Sequence, residues 1–188
     1  EAPAVRAAFD AYTKAALAKN GIDAEDLLAE TIGGYYETAR QMALTGTTEQ
    51  VAALPLAQRL TVYVLRGKMD AAMLRGSKSA DVVRAAFDLG LIGENGVSKL
   101  ALGEVTVDGG TASAVVKSNG QVVPYKMRFL KENGHWKIDL LPMMTMADET
   151  FAGLAEQQGL TPDALIDQLL VSMFGQEKAL AVQQPLED

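Results

Sequence analysis

The sequence contains no cysteine and only one histidine, His135, among its 188 residues. The missing cysteines exclude disulfide bonds, thiolate metal sites and a cysteine nucleophile. One histidine leaves mainly carboxylates as metal ligands, and no segment has the alternating acids and glycine turn of a calcium loop. The glycine-rich segments lack phosphate-loop spacing, and no Gly-x-Ser-x-Gly element is present. The sequence therefore predicts no metal site, no cofactor and no catalytic residue.

Long apolar runs and basic clusters are missing too. No run approaches the ~20 apolar residues that a membrane-spanning helix requires. The net charge is -7, whereas a nucleic-acid-binding surface needs a dense basic face. We therefore expect no membrane span and no nucleic-acid partner.

The absence of cysteine and a first residue, Glu1, that is not methionine bear on the cellular location. A free thiol is a liability in an oxidising compartment, and an export signal is removed from a mature chain. Together these features favour a bacterial protein of the periplasm or another extracytoplasmic compartment. A cytoplasmic location is the alternative, because cytosolic chains can also lack cysteine.

Apolar residues at helical spacing dominate the first 95 residues. Pro3 suits a first helical turn and Gly21 suits a helix end. A second helix is predicted over residues 23–44, weakened by Gly33 and Gly34, each of which costs ~1 kcal/mol relative to alanine. This glycine pair indicates either a kink or close helix packing, or else a backbone cradle for a ligand.

Three turn dipeptides divide the segment after Ser98 into four short strands. Glycine and asparagine tolerate the positive φ of two-residue hairpin turns, and such turns fix every cross-strand pair. The turns are Gly109-Gly110, Asn119-Gly120 and Asn133-Gly134. The predicted pairs are Val107 with Ala112, Val105 with Ala114, Val116 with Val123, Ala114 with Tyr125, Ala112 with Met127, Phe129 with Ile138, and Met127 with Leu140.

This register gives the sheet one apolar face and one mixed face. The preceding helices are the available cover for the apolar face. The mixed face suits partial cover by the last helices or by a second copy of the chain. Besides the paired residues above, the apolar face is predicted to carry Ala101, Gly103 and Trp136, and the mixed face Leu100, Leu102, Val115, Lys126, Arg128, His135 and Asp139.

Helical spacing returns after the sheet, where Thr161 and Gly175 can start and end an apolar helix. The predicted fold class is therefore α+β, with N-terminal helices packed on a curved four-stranded antiparallel meander and C-terminal helices after it. We predict a single domain over residues 1–175, with helices over 1–95, the sheet over 98–142, helices over 145–175, and a flexible acidic tail over 176–188.

The last hairpin reads VVPYKMRFLKENGHWKIDLL, in which an aromatic-rich strand and an Asn-Gly turn precede the run Trp136 to Asp139. With the helices before it, this meander resembles the nuclear-transport-factor-2-like superfamily within the cystatin-like folds, and its exported bacterial members above all. The resemblance covers residues 50–142. It implies a cavity between sheet and helices, and it transfers fold far better than function.

The implied cavity is almost wholly hydrocarbon on its sheet side, where no carboxylate is found. Its candidate lining residues are Tyr125, Trp136, Met127, Phe129, Tyr35 and Tyr36. The first hypothesis is a non-enzymatic binding or accessory module for a small hydrophobic ligand or a protein partner. The second is a cofactor-free enzyme of isomerase or dehydratase type with a tyrosine as proton donor. The third is a structural homodimer built on the outer sheet face.

His135 and Asp139 are poor candidates for a catalytic dyad. Four residues along a strand separate them by ~13 Å, far beyond hydrogen-bond reach. The register instead pairs Glu132 with His135 and Arg128 with Asp139, as exposed cross-strand charge pairs.

Three methionines, Met143, Met144 and Met146, follow the last strand. They either fill the core at the edge of the sheet or form an adaptable contact surface. With Lys126 and Arg128 on the outer sheet face, they are the candidate interface residues.

Overall fold

The computed structural model describes residues 1–88 and 98–187. Its helices are α1 (Ala2–Leu17), α2 (Gly21–Asp26), α3 (Thr31–Thr45), α4 (Thr48–Ala52), α5 (Leu56–Lys68), α6 (Ala71–Gly76), α7 (Ser79–Asp88), α8 (Leu141–Gln157), α9 (Pro162–Phe174) and α10 (Gln176–Ala181). Its strands are β1 (Leu100–Asp108), β2 (Thr111–Ser118), β3 (Gln121–Glu132) and β4 (His135–Asp139). This order confirms the predicted α+β class. Residues 89–95 of the predicted helical region and residue 188 of the predicted tail lie outside the described residues.

The chain divides into two compact units, each assembled from two segments. The first unit comprises Glu1–Gly33 and Ala80–Pro142, and the second comprises Gly34–Ser79 and Met143–Asp188. This division is finer than the single domain predicted over residues 1–175, which stays a prediction.

The four strands form an antiparallel meander in the order β1-β2-β3-β4. The predicted turns are present: Gly109 has φ +56°, and Asn119, Gly120, Asn133 and Gly134 also have positive φ. Close to the turns the predicted register holds, since Val107 pairs with Ala112, Lys117 with Val122, and Phe129 with Ile138.

A bulge in β1 reverses the predicted faces at the start of that strand. The register shifts between Leu102 and Val105, because three steps along β1 match two along β2. Leu102 therefore pairs with the fully buried Val116, and Gly103 approaches Val115 instead. The prediction that put Ala101 and Gly103 on the apolar face, with Leu100 and Leu102 opposite, was wrong because one extra residue exchanges the faces of a strand.

A second irregularity changes the partners of Tyr125 and Met127. Ala114 pairs with Met127 and Ala112 with Phe129, so the predicted pairs of Ala114 with Tyr125 and of Ala112 with Met127 were wrong. The shift lies opposite Val116, where β3 contains Pro124, which has no N–H to donate to the ladder. Two extra residues on β3 preserve the faces, so Met127 and Phe129 still point to the core.

The core of the first unit lies between α1 and the sheet. Helix α1 packs against β1 and β4, and the ring of Tyr12 meets Phe87 of α7 edge-on at 5.9 Å. Fully or almost fully buried side chains from these elements are Val5, Phe9, Tyr12, Ala16, Val82, Phe87, Ala114, Val116, Met127, Phe129, Trp136 and Ile138.

The outer edge of β4 is paired with a short segment between α2 and α3. The Ile138 amide donates to the Leu27 carbonyl and the Ala29 amide donates to the Ile138 carbonyl, both at 2.8 Å. The single helix predicted over residues 23–44 is therefore two helices, because residues 27–29 bond to the sheet. Gly33 and Gly34 fall in the first turn of α3, and no heavy atom lies within 4 Å of a Cβ placed on Gly34.

A buried arginine organises the second unit. Arg66 of α5, 5% exposed, donates to the carbonyls of Met42, Ala43 and Gly46 at the end of α3, and to that of Val182. Burial lowers the pKa of this guanidinium. Met42 also accepts the Gly46 amide and Ala43 the Leu186 amide, so the arginine adds donors to carbonyls at the C-terminal end of α3, as a side-chain cap does.

Part of the segment predicted as a flexible acidic tail over residues 176–188 is helical, and its flexibility stays a prediction. Helix α10 occupies Gln176–Ala181, and the amides of Leu186 and Glu187 donate to the carbonyls of Ala43 and Leu44. Arg75 also pairs with the Glu187 carboxylate. Helix α8 begins at Leu141, four residues before the predicted start.

Candidate functional site

A groove of about 540 Å³ lies between α1 and β1 in the first unit. We call it the α1–β1 groove. Its walls are Arg6, Phe9, Asp10, Thr13, Lys14 and Leu17 of α1, and Leu100, Ala101 and Leu102 of β1.

The helical repeat places the α1 wall along one side of the groove. Residues three and four apart lie on the same face of a helix, and the wall residues follow this spacing from Arg6 to Leu17. At 1.5 Å per residue this wall is about 16 Å long. The groove is therefore elongated along α1.

Apolar side chains form much of the groove surface. Phe9 is 4% exposed and contributes to the core, whereas Leu17 is 44% exposed although it is a leucine. Leu100 and Leu102 are half-buried. The bulge in β1 turns Leu102 toward the side on which α1 packs, and so creates this part of the wall.

Arg6 fixes one end of the groove. Its Nη1 donates to the Leu102 carbonyl at 3.1 Å, and its Nη2 donates to the Gly103 carbonyl. These two carbonyls lie at the β1 bulge, where the ladder to β2 is interrupted. The guanidinium thus joins α1 to the bulged part of β1.

Two charged side chains of the groove have no partner within the described part of the chain. Lys14 and Asp10 are exposed, and their side chains form no hydrogen bond or ion pair there. With Arg6, the groove-lining residues include two cations and one acid. The groove lining is therefore slightly basic in a chain whose net charge is -7.

The sheet residues predicted to line a cavity lie elsewhere in the first unit. Met127, Phe129 and Trp136 are 1%, 0% and 6% exposed and belong to the core, and none of them lines the α1–β1 groove. Tyr125 is half-buried, and burial raises the pKa of its hydroxyl.

Tyr35 and Tyr36 belong to the second unit, where their rings meet edge-on at 5.3 Å. The Tyr35 hydroxyl lies 3.2 Å from Thr61 Oγ1, which itself donates to the Ala57 carbonyl at 2.9 Å. Tyr35 must therefore donate its proton to Thr61. Burial raises the pKa of Tyr35, and the nearby Asp148 carboxylate raises it further. The hydrogen bond to Thr61 partly offsets this increase.

The predicted interface residues have mixed surroundings. Met143, Met144 and Met146 lie in the first turns of α8 and are half-buried. Lys126 is exposed on β3, whereas Arg128 forms an ion pair with Asp139. A homodimer through the outer sheet face stays a prediction.

Asp139 differs from its predicted setting. The pairing with Arg128 is confirmed, but Asp139 is 2% exposed and not a surface residue. Thr31, the first residue of α3, donates its hydroxyl to this carboxylate. His135 is exposed and faces Glu132, whose carboxylate accepts the Glu30 amide.

No protein-family model, curated protein or solved structure matches this chain. The resemblance to the nuclear-transport-factor-2-like superfamily and the extracytoplasmic location therefore stay predictions. Within residues 1–88 and 98–187, no helix is long and apolar enough to cross a membrane, and no three acids or histidines cluster as metal ligands.

Proposed function

We propose that this chain is a non-enzymatic binding module and that the α1–β1 groove holds a small hydrophobic ligand. The observation that carries the proposal is the elongated apolar surface formed by Phe9, Leu17, Leu100 and Leu102. Its volume of about 540 Å³ falls within the ~300–1,000 Å³ typical of small-molecule sites. The site differs from the cavity that the family resemblance implied, because it opens at the β1 edge.

The hydrogen bonds of Tyr35 favour binding over catalysis. Its proton is directed to Thr61, and the Thr61 proton is directed to a backbone carbonyl. A proton donor for a substrate needs its proton directed at the reacting atom. Tyr35 therefore reads as a structural residue of the second unit.

The dye Nile red carries no charge, so its binding tests whether the groove holds an apolar ligand. We expect saturable binding of one dye per chain, with rising fluorescence as the dye leaves water. Leu17 lines the groove and is 44% exposed, so Leu17→Trp adds an indole to the groove without replacing a core residue. We expect this variant to weaken dye binding about tenfold or more, since the indole occupies the apolar surface.

Val122→Trp is the matched control. Val122 is 65% exposed beside the β2–β3 turn and outside the groove, so the added indole has no effect on a ligand there. Equal dye binding by both tryptophan variants and by the unaltered chain would refute the α1–β1 groove as the site.

A further inference from the structure

We infer that the ligand of the α1–β1 groove is an anionic amphiphile, a straight alkyl chain ending in a carboxylate. This inference rests on the proposed function and goes beyond it by naming the ligand class. It follows from the distribution of charge around the apolar surface.

Lys14 supplies the free cation of the groove wall. Of the cations that line the groove, Arg6 already donates to the carbonyls of Leu102 and Gly103, whereas Lys14 has no partner within the described residues. Lys14 lies one turn before the exposed Leu17 on the same face of α1. A head group at Lys14 therefore has apolar surface directly beside it.

The charges of the groove lining have a positive balance. Arg6 and Lys14 are the cations among the groove residues. Asp10 is the one carboxylate among the groove residues, and it lies four residues from each of Arg6 and Lys14 on α1. The cations outnumber this acid, so the local field favours a ligand with one negative charge.

The shape of the groove selects an extended chain. The α1 wall is about 16 Å long by the helical rise, and the apolar residues are spread from Phe9 to Leu17. A compact ring would cover only part of this surface. A linear alkyl chain covers its length and gains ~0.8 kcal/mol for each CH₂ removed from water.

Displacement of Nile red at pH 7.5 and low salt tests the inference. The three competitors carry a ten-carbon chain and differ in the charge of the head group: decanoate, decanol and decyltrimethylammonium. We expect decanoate to displace the dye at the lowest concentration. Lys14→Glu should weaken decanoate roughly three- to tenfold more than it weakens decanol, the size expected from reversing an exposed charge contact. Lys126→Glu, an equal charge change on the far side of the sheet, should leave all the affinities unchanged.

The outcomes distinguish a failure of the anionic ligand class from a failure of the hydrophobic groove. If Leu17→Trp blocks the dye but decanol or decyltrimethylammonium competes as well as decanoate, the anionic ligand is refuted and the hydrophobic groove stands. An unchanged decanoate affinity in Lys14→Glu also overturns the assignment. If Leu17→Trp does not block the dye, both the function and the ligand class are refuted.

Discussion

Thr31 Oγ1 donates a hydrogen bond of 2.7 Å to Asp139 Oδ1, and Asp139 is 2% exposed. The same oxygen accepts the Leu141 amide at 3.2 Å, and Arg128 Nε lies 3.4 Å from Oδ2. One carboxylate thus joins the start of α3 to the end of β4. A buried acid with this number of partners stabilises the fold only while all of them are present.

Asp139→Ala should destabilise the protein by about 2–3 kcal/mol, because the Thr31 hydroxyl and the Leu141 amide lose their acceptor. Asp139→Asn keeps one oxygen acceptor and should lose about 1 kcal/mol. Urea denaturation measures both values. Asp108→Ala removes an exposed acid of the same sheet and should change stability by less than about 0.5 kcal/mol; a similar loss for Asp108→Ala and Asp139→Ala would contradict the role of Asp139.

Arg66→Met should destabilise the protein by about 3 kcal/mol, because the carbonyls of Met42, Ala43, Gly46 and Val182 lose a buried donor. The stability of Arg66→Lys should lie between that of the unaltered chain and that of Arg66→Met. An ammonium keeps some of the hydrogen bonds but cannot reproduce the planar fork of a guanidinium. Chemical denaturation provides the values.

Arg75→Met is the control for the Arg66 variants. The Arg75 side chain is 65% exposed and pairs with Glu187 of the C-terminal segment. Its loss should therefore cost less than about 1 kcal/mol of stability.

Hydrogen exchange at the Leu186 and Glu187 amides should accelerate in Arg66→Met. Unchanged protection of these amides would show that Arg66 does not hold the C-terminal segment.

The buried tyrosine Tyr12 predicts a loss of stability at high pH. Tyr12 is 2% exposed, and burial raises the pKa of its hydroxyl above the ~10 of free tyrosine. Above pH ~10 the unfolded chain releases this proton and the folded chain keeps it, so stability falls as pH rises through that window. Tyr12→Phe should flatten the fall measured by denaturation between pH 9 and 11. Tyr125→Phe should flatten it less, since Tyr125 is half-buried; equal slopes for Tyr12→Phe and the unaltered chain would exclude this origin.

Local signals in the sequence predicted elements and turns well. Thr161 caps α9 and Gly175 ends it with φ +81°, as predicted, and Thr47 with Gln50 forms a capping box at the start of α4. The Asn-Gly turns set the hairpins because two residues with positive φ allow few alternatives. These features depend on neighbours in the chain.

The errors arose where distant residues decide the geometry. At the β1 bulge, Arg6 donates to the carbonyls of Leu102 and Gly103, almost a hundred residues away in the chain. The buried Asp139 accepts a hydrogen bond from Thr31, a contact that no pattern near Asp139 indicates. Pro124 was the one local sign of irregular pairing that the predicted register ignored.

The same limit applies to the candidate site. The spacing of Arg6, Phe9, Thr13 and Leu17 was visible as a helix face, but half of the groove belongs to β1. With the unbulged register, Leu102 pointed away from the helices. The sequence therefore did not predict the groove. Trp136 and Phe129, which were predicted to line a cavity, lie in the core.

The most direct test is the affinity of Nile red for the unaltered chain and for Leu17→Trp, measured side by side with Val122→Trp. We predict saturable binding that Leu17→Trp weakens about tenfold or more and Val122→Trp leaves unchanged. Equal affinity in all three proteins, or no saturable binding to the unaltered chain, would contradict this prediction.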